Sequence, residues 1–540
     1  MPTLQFKGKN IIWNHHLSVP YHTLEEVSKL HFQTDKPNGN LIIEGDNLLA
    51  LKALLPMYAG KAKVVCIDPP YNTGNEGWAY NDNVNSPLIK DWLGKEVGKD
   101  DLTRHDKWLC MMTPRLKLLR ELLVDDGVVF VNIDENEQYH LRLIMDEIFH
   151  EANHIATFVW SGRSGKGGTT KQVELNHEYI ECYSKDATKV KMKPVINIQG
   201  EGNYKDKKST YKREHLRQWG QGDRREDRPS MYFPIILPNG EEIYPKRSDG
   251  SDGRWRFGES TVKKLHTDND LDFVKDEEGN VTVYRKIREG RESIVATDSL
   301  LIDKGTASSG TLELKKLFGE KVFDNVKPTT LIKHLIDLVT YDDRNAVILD
   351  SFSGSGTTGH AVMDMNKEDG GNRKFILVQM TEATENEPNK NICKDITRER
   401  IKRAIEKYGY DSGFNYLRVG QPLDAETLLE GKLPDYKTFA RYVYYLCTGE
   451  NLKDEKKISE KKFFVGDFGN QAIYLIYKQD YEALTRMALN LEIAEKIIAD
   501  QPDKKRIVYA PACFLDEEYR EEKQIEFVNI PYNLFQRGNG

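Results

Sequence analysis

Val64-Val65-Cys66-Ile67-Asp68-Pro69-Pro70-Tyr71 is the stretch on which the reading of this chain turns. Its four leading apolar residues read as a strand buried on both faces, which in an α/β protein means a parallel sheet. Pro69 and Pro70 end that strand, because neither can donate to a ladder. They fix a stiff turn at the carboxyl end of the sheet, the edge where open α/β folds hold ligands. An acid and an aromatic, Asp68 and Tyr71, therefore stand on a rigid corner over a crevice. The plain alternative is a strand-ending turn with a surface tyrosine, and the rest of the chain argues against it.

Upstream, Leu41-Ile42-Ile43 reads as a second strand and Gly45-Asp46 as a turn. A helix follows, with Leu48, Leu51, Leu54, Leu55 and Tyr58 on one stripe. Asp46 suits either a helix cap or a ligand contact at this junction. Downstream, residues 72–103 are polar and glycine-rich and carry Trp78, Tyr80 and Trp92; after such a corner they read as a lid or substrate-clasping loop. A helix over 104–124, with Pro114 as a kink point, ends at Asp125-Asp126-Gly127. A strand over 128–134, a helix over 136–149 and strands over 155–160 and 177–183 continue the alternation of an α/β domain. The run 161–168 is glycine-rich and basic, and fits either a phosphate-contacting segment or an ordinary exposed loop.

A second α/β half opens at Lys327-Pro328, with a helix over 329–340 and a strand over 346–349. That strand runs into Asp350-Ser351-Phe352-Ser353-Gly354-Ser355-Gly356-Thr357-Thr358-Gly359, then a helix over 358–365, a strand over 374–378 and a helix over 392–407. Strand, glycine turn and helix form an anion and cofactor cradle, since glycines let the backbone approach a ligand and the helix start offers N–H groups. Gly354, Gly356 and Gly359 match the dinucleotide fingerprint, which keeps a nicotinamide enzyme in view. No lysine follows the last glycine, which disfavours a Walker-type phosphate loop. Gln379 holds the position where a ribose-binding acid is expected and Glu382 follows it, which weakens the nicotinamide reading and leaves Gln379 and Glu382 as the alternatives for a ribose contact.

The chain has 540 residues, enough for two or three domains. Its 39% hydrophobic and 30% charged residues suit a soluble globular protein. No apolar run approaches the roughly 20 residues of a membrane span, and the N-terminus lacks a signal-peptide stretch. The six cysteines, Cys66, Cys110, Cys182, Cys393, Cys447 and Cys513, are widely spaced, which points to a reducing cytoplasm and to neither disulfides nor zinc. His15, His16 and His22 lie in an N-terminal arm, 1–40, without a further ligand cluster, so no metal is expected. Formal net charge is −7, so a nucleic-acid binder must concentrate its positive charge locally. Residues 190–325 do so: between 205 and 228 there are nine Lys/Arg and five Asp/Glu, with Tyr204, Tyr211 and Trp219 among them. Charge holds phosphates and aromatics stack on bases; a mixed charge run is more often a solvated face, but its placement between two α/β halves favours the binding surface. From 408 onward strands over 463–465, 472–477, 506–510 and 525–530 and a helix over 481–499 read as a separate C-terminal region without catalytic pattern.

The Asp-Pro-Pro-Tyr corner, followed by an insert and then by Lys-Pro and a Phe-x-Gly-x-Gly loop, resembles the permuted beta class of amino-group DNA methyltransferases. The stretches 43–48, 58–61 and 67–74 resemble the modification subunit of type III restriction-modification systems; the resemblance covers roughly 40–183 and 322–405. It implies a Rossmann-like methyltransferase sheet in permuted order, built from 41–189 and 326–407. A target-recognition insert at 190–325 and a C-terminal accessory or assembly domain at 408–540 complete the layout. It implies S-adenosylmethionine as cofactor, held by Asp46, Asp350, Phe352, Gly354, Gly356 and Thr357 with Lys327 and Pro328 on the same wall. It implies methyl transfer to the N6 amine of a flipped adenine, with Asp68, Pro69, Pro70 and Tyr71 as the catalytic corner. Partners implied are double-stranded DNA, a second copy of the chain and a separate restriction subunit. A stand-alone adenine-N6 or cytosine-N4 methyltransferase, an NAD-dependent oxidoreductase and a non-catalytic DNA-binding subunit remain the alternatives.

Overall fold

Alternate residues of the apolar runs take opposite faces of one sheet, and helices cover both faces. The structure is a computed structural model that describes residues 3–35, 39–73, 103–162, 173–382 apart from 199, 278 and 291, and 389–530. The expected clasp at 72–103, with Trp78, Tyr80 and Trp92, and the glycine-rich run 161–168 lie, but for their ends, outside the described residues. The chain forms two units: Met1–Lys193 with Asp298–Gly540, and Pro194–Thr297.

The first unit is built on a ten-stranded sheet. In chain order its strands are β1 His22–Glu26, β2 Leu41–Glu44, β3 Ala62–Ile67, β4 Leu123–Ile133, β5 His154–Trp160, β6 Glu178–Ser184, β7 Leu300–Leu301, β8 Val347–Asp350, β9 Lys374–Gln379 and β10 Asn415–Pro422. Their spatial order is β1-β10-β2-β9-β8-β3-β4-β6-β5-β7. The run from β10 to β4 is parallel throughout. The late pair β8 and β9 is thus inserted between the early strands β2 and β3. Register places Ile348 beside Val64 and Leu349 beside Val65, so the turns after β3 and β8 leave the same edge side by side.

Val65 and Ile67 face the helices α1 Asn47–Tyr58, α2 Arg104–Leu122 and α3 Gln138–Phe149. Val64 and Cys66 face the other side, covered by α5 Thr329–Thr340, α6 Thr357–Asp369 and α7 Glu399–Tyr408, with α4 Ala307–Phe318 preceding them in the chain. These strand residues are at most 1% exposed, and each contributes roughly 1.5–3 kcal/mol by leaving water. Such two-sided burial is why the strands read as unbroken apolar runs rather than as alternation.

Several boundaries differ from the sequence reading. The Asp125-Asp126-Gly127 turn is instead part of β4, accommodated by a shift of register against β3 between Ala62 and Val64. The expected helix 392–407 begins as the wider-turned Cys393–Arg398 before α7. The expected helix 481–499 is two helices, Tyr481–Thr485 and Leu491–Asp500, because Asn490 caps the second by accepting from Ile493 N at 3.0 Å. After β10 a helix, Tyr436–Thr448, packs back on α1, with the Tyr442 ring 4.7 Å from that of Tyr21. A four-stranded sheet of Phe464–Phe468, Gln471–Leu475, Lys505–Ala510 and Ile525–Asn529 follows.

The second unit holds a four-stranded antiparallel sheet around Leu216, Phe233, Trp255, Val262, Leu271 and Val283. Its surface carries arginine–aromatic stacks: Arg213 over Tyr204 at 3.7 Å, Arg217 over Trp219 at 3.9 Å and Arg225 over Tyr232 at 4.2 Å. Part of the positive excess is neutralised within the unit, where Arg213, Arg217 and Arg225 pair with Asp272, Asp223 and Asp252. All six cysteines are unpaired, and among the described residues no helix is long and apolar enough to cross a membrane.

Candidate active site

The corner after β3 is braced from behind. Trp108, fully buried on α2, donates its indole N–H to Pro70 O at 2.7 Å, and Asn132 at the end of β4 donates to Ile67 O at 3.1 Å. The next residue, Asn72, holds a left-handed φ of 59° and donates its amide to the buried Glu137. Glu137 also takes contacts from His105 Nδ1 at 2.6 Å and His140 Nδ1 at 2.7 Å. The ligand-type atoms of these three residues lie within 4.8 Å of one another. Both oxygens of Glu137 are occupied in this way, so the cluster acts as a clamp on the residue that leaves the corner.

On the crevice side the Asp68 carboxylate accepts twice, from Tyr71 OH at Oδ1 and from Lys327 Nζ at Oδ2, each at 2.8 Å. Lys327 Nζ also donates to Tyr71 OH at 2.8 Å and lies 5.0 Å from the centre of its ring. Glu178, the first residue of β6, brings Oε2 to 2.9 Å from Tyr71 OH and 3.4 Å from Lys327 Nζ. Burial pushes the Asp68 carboxyl up, and the ammonium beside it only partly offsets that. Burial would lower Lys327, but Asp68 and Glu178 outweigh it and raise the ammonium. Burial, joined by both carboxylates, drives the Tyr71 phenol far above its ordinary range. The lysine is therefore charged and the tyrosine neutral at physiological pH.

The loop after β8 lies across Lys327 from this corner. Thr357 Oγ1 donates to Lys327 O at 3.2 Å, while Lys327 itself reaches the corner. Pro328 starts α5, whose first residue, Thr329, donates through N and Oγ1 to Glu313 of α4, each at 3.0 Å. Asp350 folds the loop by accepting from Phe352 N at 3.1 Å and from Thr358 Oγ1 at 2.5 Å. Gly354 and Gly356 stand at φ 47° and 79°, where a side chain would be strained. A Cβ on Gly359 would come within 2.8 Å of Ile401 and 2.9 Å of Leu377, so that glycine sets the close packing of α6 on the sheet. The fully buried Arg400 of α7 binds Ser355 Oγ at 2.9 Å and Thr357 Oγ1 at 2.7 Å. Gln379 spends its carboxamide oxygen on Gly354 N at 2.8 Å and its amide on Glu382 at 2.9 Å, so the two ribose candidates are bound to each other. Burial pushes the Asp350 carboxyl up to about 7.

After β2, Gly45 gives way to Asp46, which caps α1 by accepting from Leu48 N at 2.8 Å and Leu49 N at 3.3 Å. The capping oxygen is Oδ1; Oδ2 pairs with the buried Arg115 at 3.4 Å. Asn47 ties this turn to the glycine loop by donating to Ser351 O at 2.9 Å. The three turns that the sequence singled out thus meet along one sheet edge.

Four supports escaped the sequence reading: Glu178, the Glu137 clamp, Trp108 and Arg400. Glu178 had the one usable signal, an acid at the opening of a largely buried strand, a signal it shares with Glu181 in the same strand.

Comparison with known proteins adds the lineage. The family model described as DNA methylase matches residues 62–407. The chain is 32% identical over 415 residues to the StyLTI Mod subunit of a type III restriction-modification enzyme from Salmonella typhimurium, covering 72% of this chain and 61% of that one. It is 30% identical over 481 residues to the EcoP15I Mod subunit of Escherichia coli, also type III, covering 78% and 72%. It is 31% identical over 368 residues to the type II methyltransferase M.KpnI of Klebsiella pneumoniae, covering 64% and 81%. The chain therefore spans less than two thirds of the length of the StyLTI subunit.

Proposed function

The chain belongs to the DNA methylase family, and from that premise we propose that it is the modification subunit of a type III-like restriction-modification system. In this reading it transfers a methyl group from S-adenosylmethionine to the N6 amine of an adenine flipped out of double-stranded DNA. The observation that carries the reading is the adjacency of β3 and β8, which sets an acid–aromatic corner beside a glycine loop with Lys327 bridging them.

The residues around the loop fit the cofactor. Ser351 Oγ is buried without a hydrogen-bond partner among the described residues. The Asp350 carboxyl, pushed up by burial, is a group that a neighbouring cation would hold ionised. Asp46, Asp350, Phe352, Gly354, Gly356 and Thr357 would hold the cofactor, with Lys327 and Pro328 flanking them. When bound it supplies an electrophilic methyl group on a sulfonium.

The chain's own task is to present the nucleophile. An exocyclic amine is a weak nucleophile because its lone pair is delocalised into the ring. Asp68 already accepts from Lys327 and Tyr71, but a carboxylate offers about four acceptor positions, so it can take an amine N–H without losing either. The Pro69 carbonyl takes the other N–H. Orientation of this kind is worth about 7 kcal/mol or more when well realised. Flipping the base costs a few kcal/mol, and stacking on the Tyr71 ring returns about 1–3 kcal/mol. The arginine–aromatic stacks of the Pro194–Thr297 unit would help choose the site on DNA. A restriction subunit and a second copy of the chain are the protein partners in this reading.

Asp68→Ala tests the assignment. With tritiated S-adenosylmethionine and unmethylated bacterial DNA, the wild type labels adenine and the variant does not, while both still bind cofactor. Label transfer by the variant would remove Asp68 from the mechanism.

A further inference from the structure

We propose that Glu178 is a positioning residue of the transfer centre, a second carboxylate that acts on the reaction through Lys327 and Tyr71. The inference rests on the methyltransferase reading and goes beyond it, because neither the corner motif nor the glycine loop contains this residue.

Lys327 has three protons, and three oxygens surround it: Asp68 Oδ2 at 2.8 Å, Tyr71 OH at 2.8 Å and Glu178 Oε2 at 3.4 Å. The ammonium is held as a tripod, and two carboxylates share one cation. The Glu178 and Lys327 side chains are only 13% and 8% exposed. A surplus negative charge in such a place is costly to keep, whereas a glutamine would hydrogen-bond Tyr71 without that cost. The surplus has a use in a reaction whose positive charge ends on an exocyclic nitrogen beside Asp68. A fixed charge already in place stabilises that change without reorganisation. Asp134, the residue after β4, adds to the same field and is itself pushed up to about 6, first by burial and in part by Glu178.

The hydrogen-bond arithmetic gives Glu178 a second task. Tyr71 has one proton and two carboxylate neighbours, Asp68 Oδ1 at 2.8 Å and Glu178 Oε2 at 2.9 Å. After methyl transfer the cationic amine must lose a proton. The N–H bond breaks, its electron pair stays on nitrogen, and an O–H bond forms on Asp68. A protonated Asp68 no longer needs the phenol as donor and can donate to it. The phenol then turns its own proton to Glu178 and never ionises. Glu178 is thus the alternate acceptor that lets Asp68 take up the proton while every polar group stays satisfied.

The test uses the full chain, S-adenosylmethionine and amplified bacterial genomic DNA, which carries no methylated bases, in single-turnover methyl transfer. Glu178→Gln keeps the shape and removes the charge; Glu178→Asp keeps the charge. The expected result for the glutamine variant is a transfer rate about 100-fold below wild type at saturation. Its dissociation constants for cofactor and DNA stay within about threefold of wild type, and the aspartate variant recovers at least tenfold of the lost rate. A glutamine variant that transfers within threefold of wild type overturns the proposal. So does loss of rate and binding together in both variants, which would make Glu178 a brace only. If wild-type chain transfers no label, it is the methyltransferase reading that falls first, and this inference with it.

Discussion

Asp350→Asn should make the cofactor-free protein more stable at alkaline pH while weakening cofactor binding. The substitution keeps both local contacts: an asparagine oxygen can accept from Phe352 N, and the Thr358 hydroxyl, now a donor to Asp350, can accept from an amide instead. What it removes is a buried charge. Burial raises the carboxyl from 3.8 to about 7. Between those values the folded chain keeps a proton that the unfolded chain has released, so stability is lost as pH rises through the window. A gap of about three on the pH scale, at about 1.36 kcal/mol each, gives about 4 kcal/mol in all. About half of that, roughly 2 kcal/mol, falls between pH 5.5 and pH 8. The assay is urea unfolding of wild type and variant at both pH values. Asp134 titrates in both proteins and cancels in the comparison. The wild-type-minus-variant difference should shift by about 2 kcal/mol in favour of the variant on going to pH 8. In parallel, S-adenosylmethionine should bind the variant at least tenfold more weakly. A stability difference that is the same at pH 5.5 and pH 8 refutes the reasoning, because Asp350 would then carry the same proton folded and unfolded.

Two further substitutions probe the supports of the site. A Cβ at Gly45 would lie 2.6 Å from Val419 Cγ2 and 2.8 Å from Val419 Cβ, at a φ of +152°; Gly45→Ala should cost about 1–3 kcal/mol in urea unfolding, and Val419→Ala in the same chain should restore part of it. An unchanged midpoint in the single variant would contradict the packing described. Trp108→Phe keeps the buried ring but leaves Pro70 O without its 2.7 Å donor; a loss of about 1–3 kcal/mol is expected, with slower single-turnover transfer and unaltered cofactor affinity. Equal transfer rates in the two proteins would show that the corner does not depend on that brace.

The parts of this fold legible in the sequence are those where both faces of a strand are covered, since only there does burial write an unbroken apolar run. Strands 64–67, 347–350 and 374–379 are of that kind. Periodicity carries no information on their spatial order; the permuted order came from the resemblance, and the register of β8 on β3 bears it out. β1 and β10 escaped notice because they lie towards one end of the sheet, β1 at its edge and β10 next to it: His-Thr-Leu-Glu-Glu and Asn-Tyr-Leu-Arg-Val-Gly-Gln-Pro bury only some positions, and half-buried polar strands resemble loops. The site divides in the same way. Asp68, Gly354 and Gly356 stand on turns and Asp350 ends the strand that leads into one, where proline and glycine announce an unusual backbone. Glu178, His105 and Arg400 sit inside regular elements and Glu137 immediately precedes one, where a charged residue looks like any solvated position until a distant partner faces it. The insert shows the converse: nine basic residues against five acids between 205 and 228 suggest a bare positive surface, yet Asp252 and Asp272 from farther along the chain fold back onto two of its arginines. Lys327 sharpens the point. The resemblance implied a cofactor wall for it, and its carbonyl does meet the glycine loop through Thr357, while its ammonium crosses to Asp68, 259 positions away. One residue thereby joins both walls of the crevice, a role set by three-dimensional reach and absent from any local pattern.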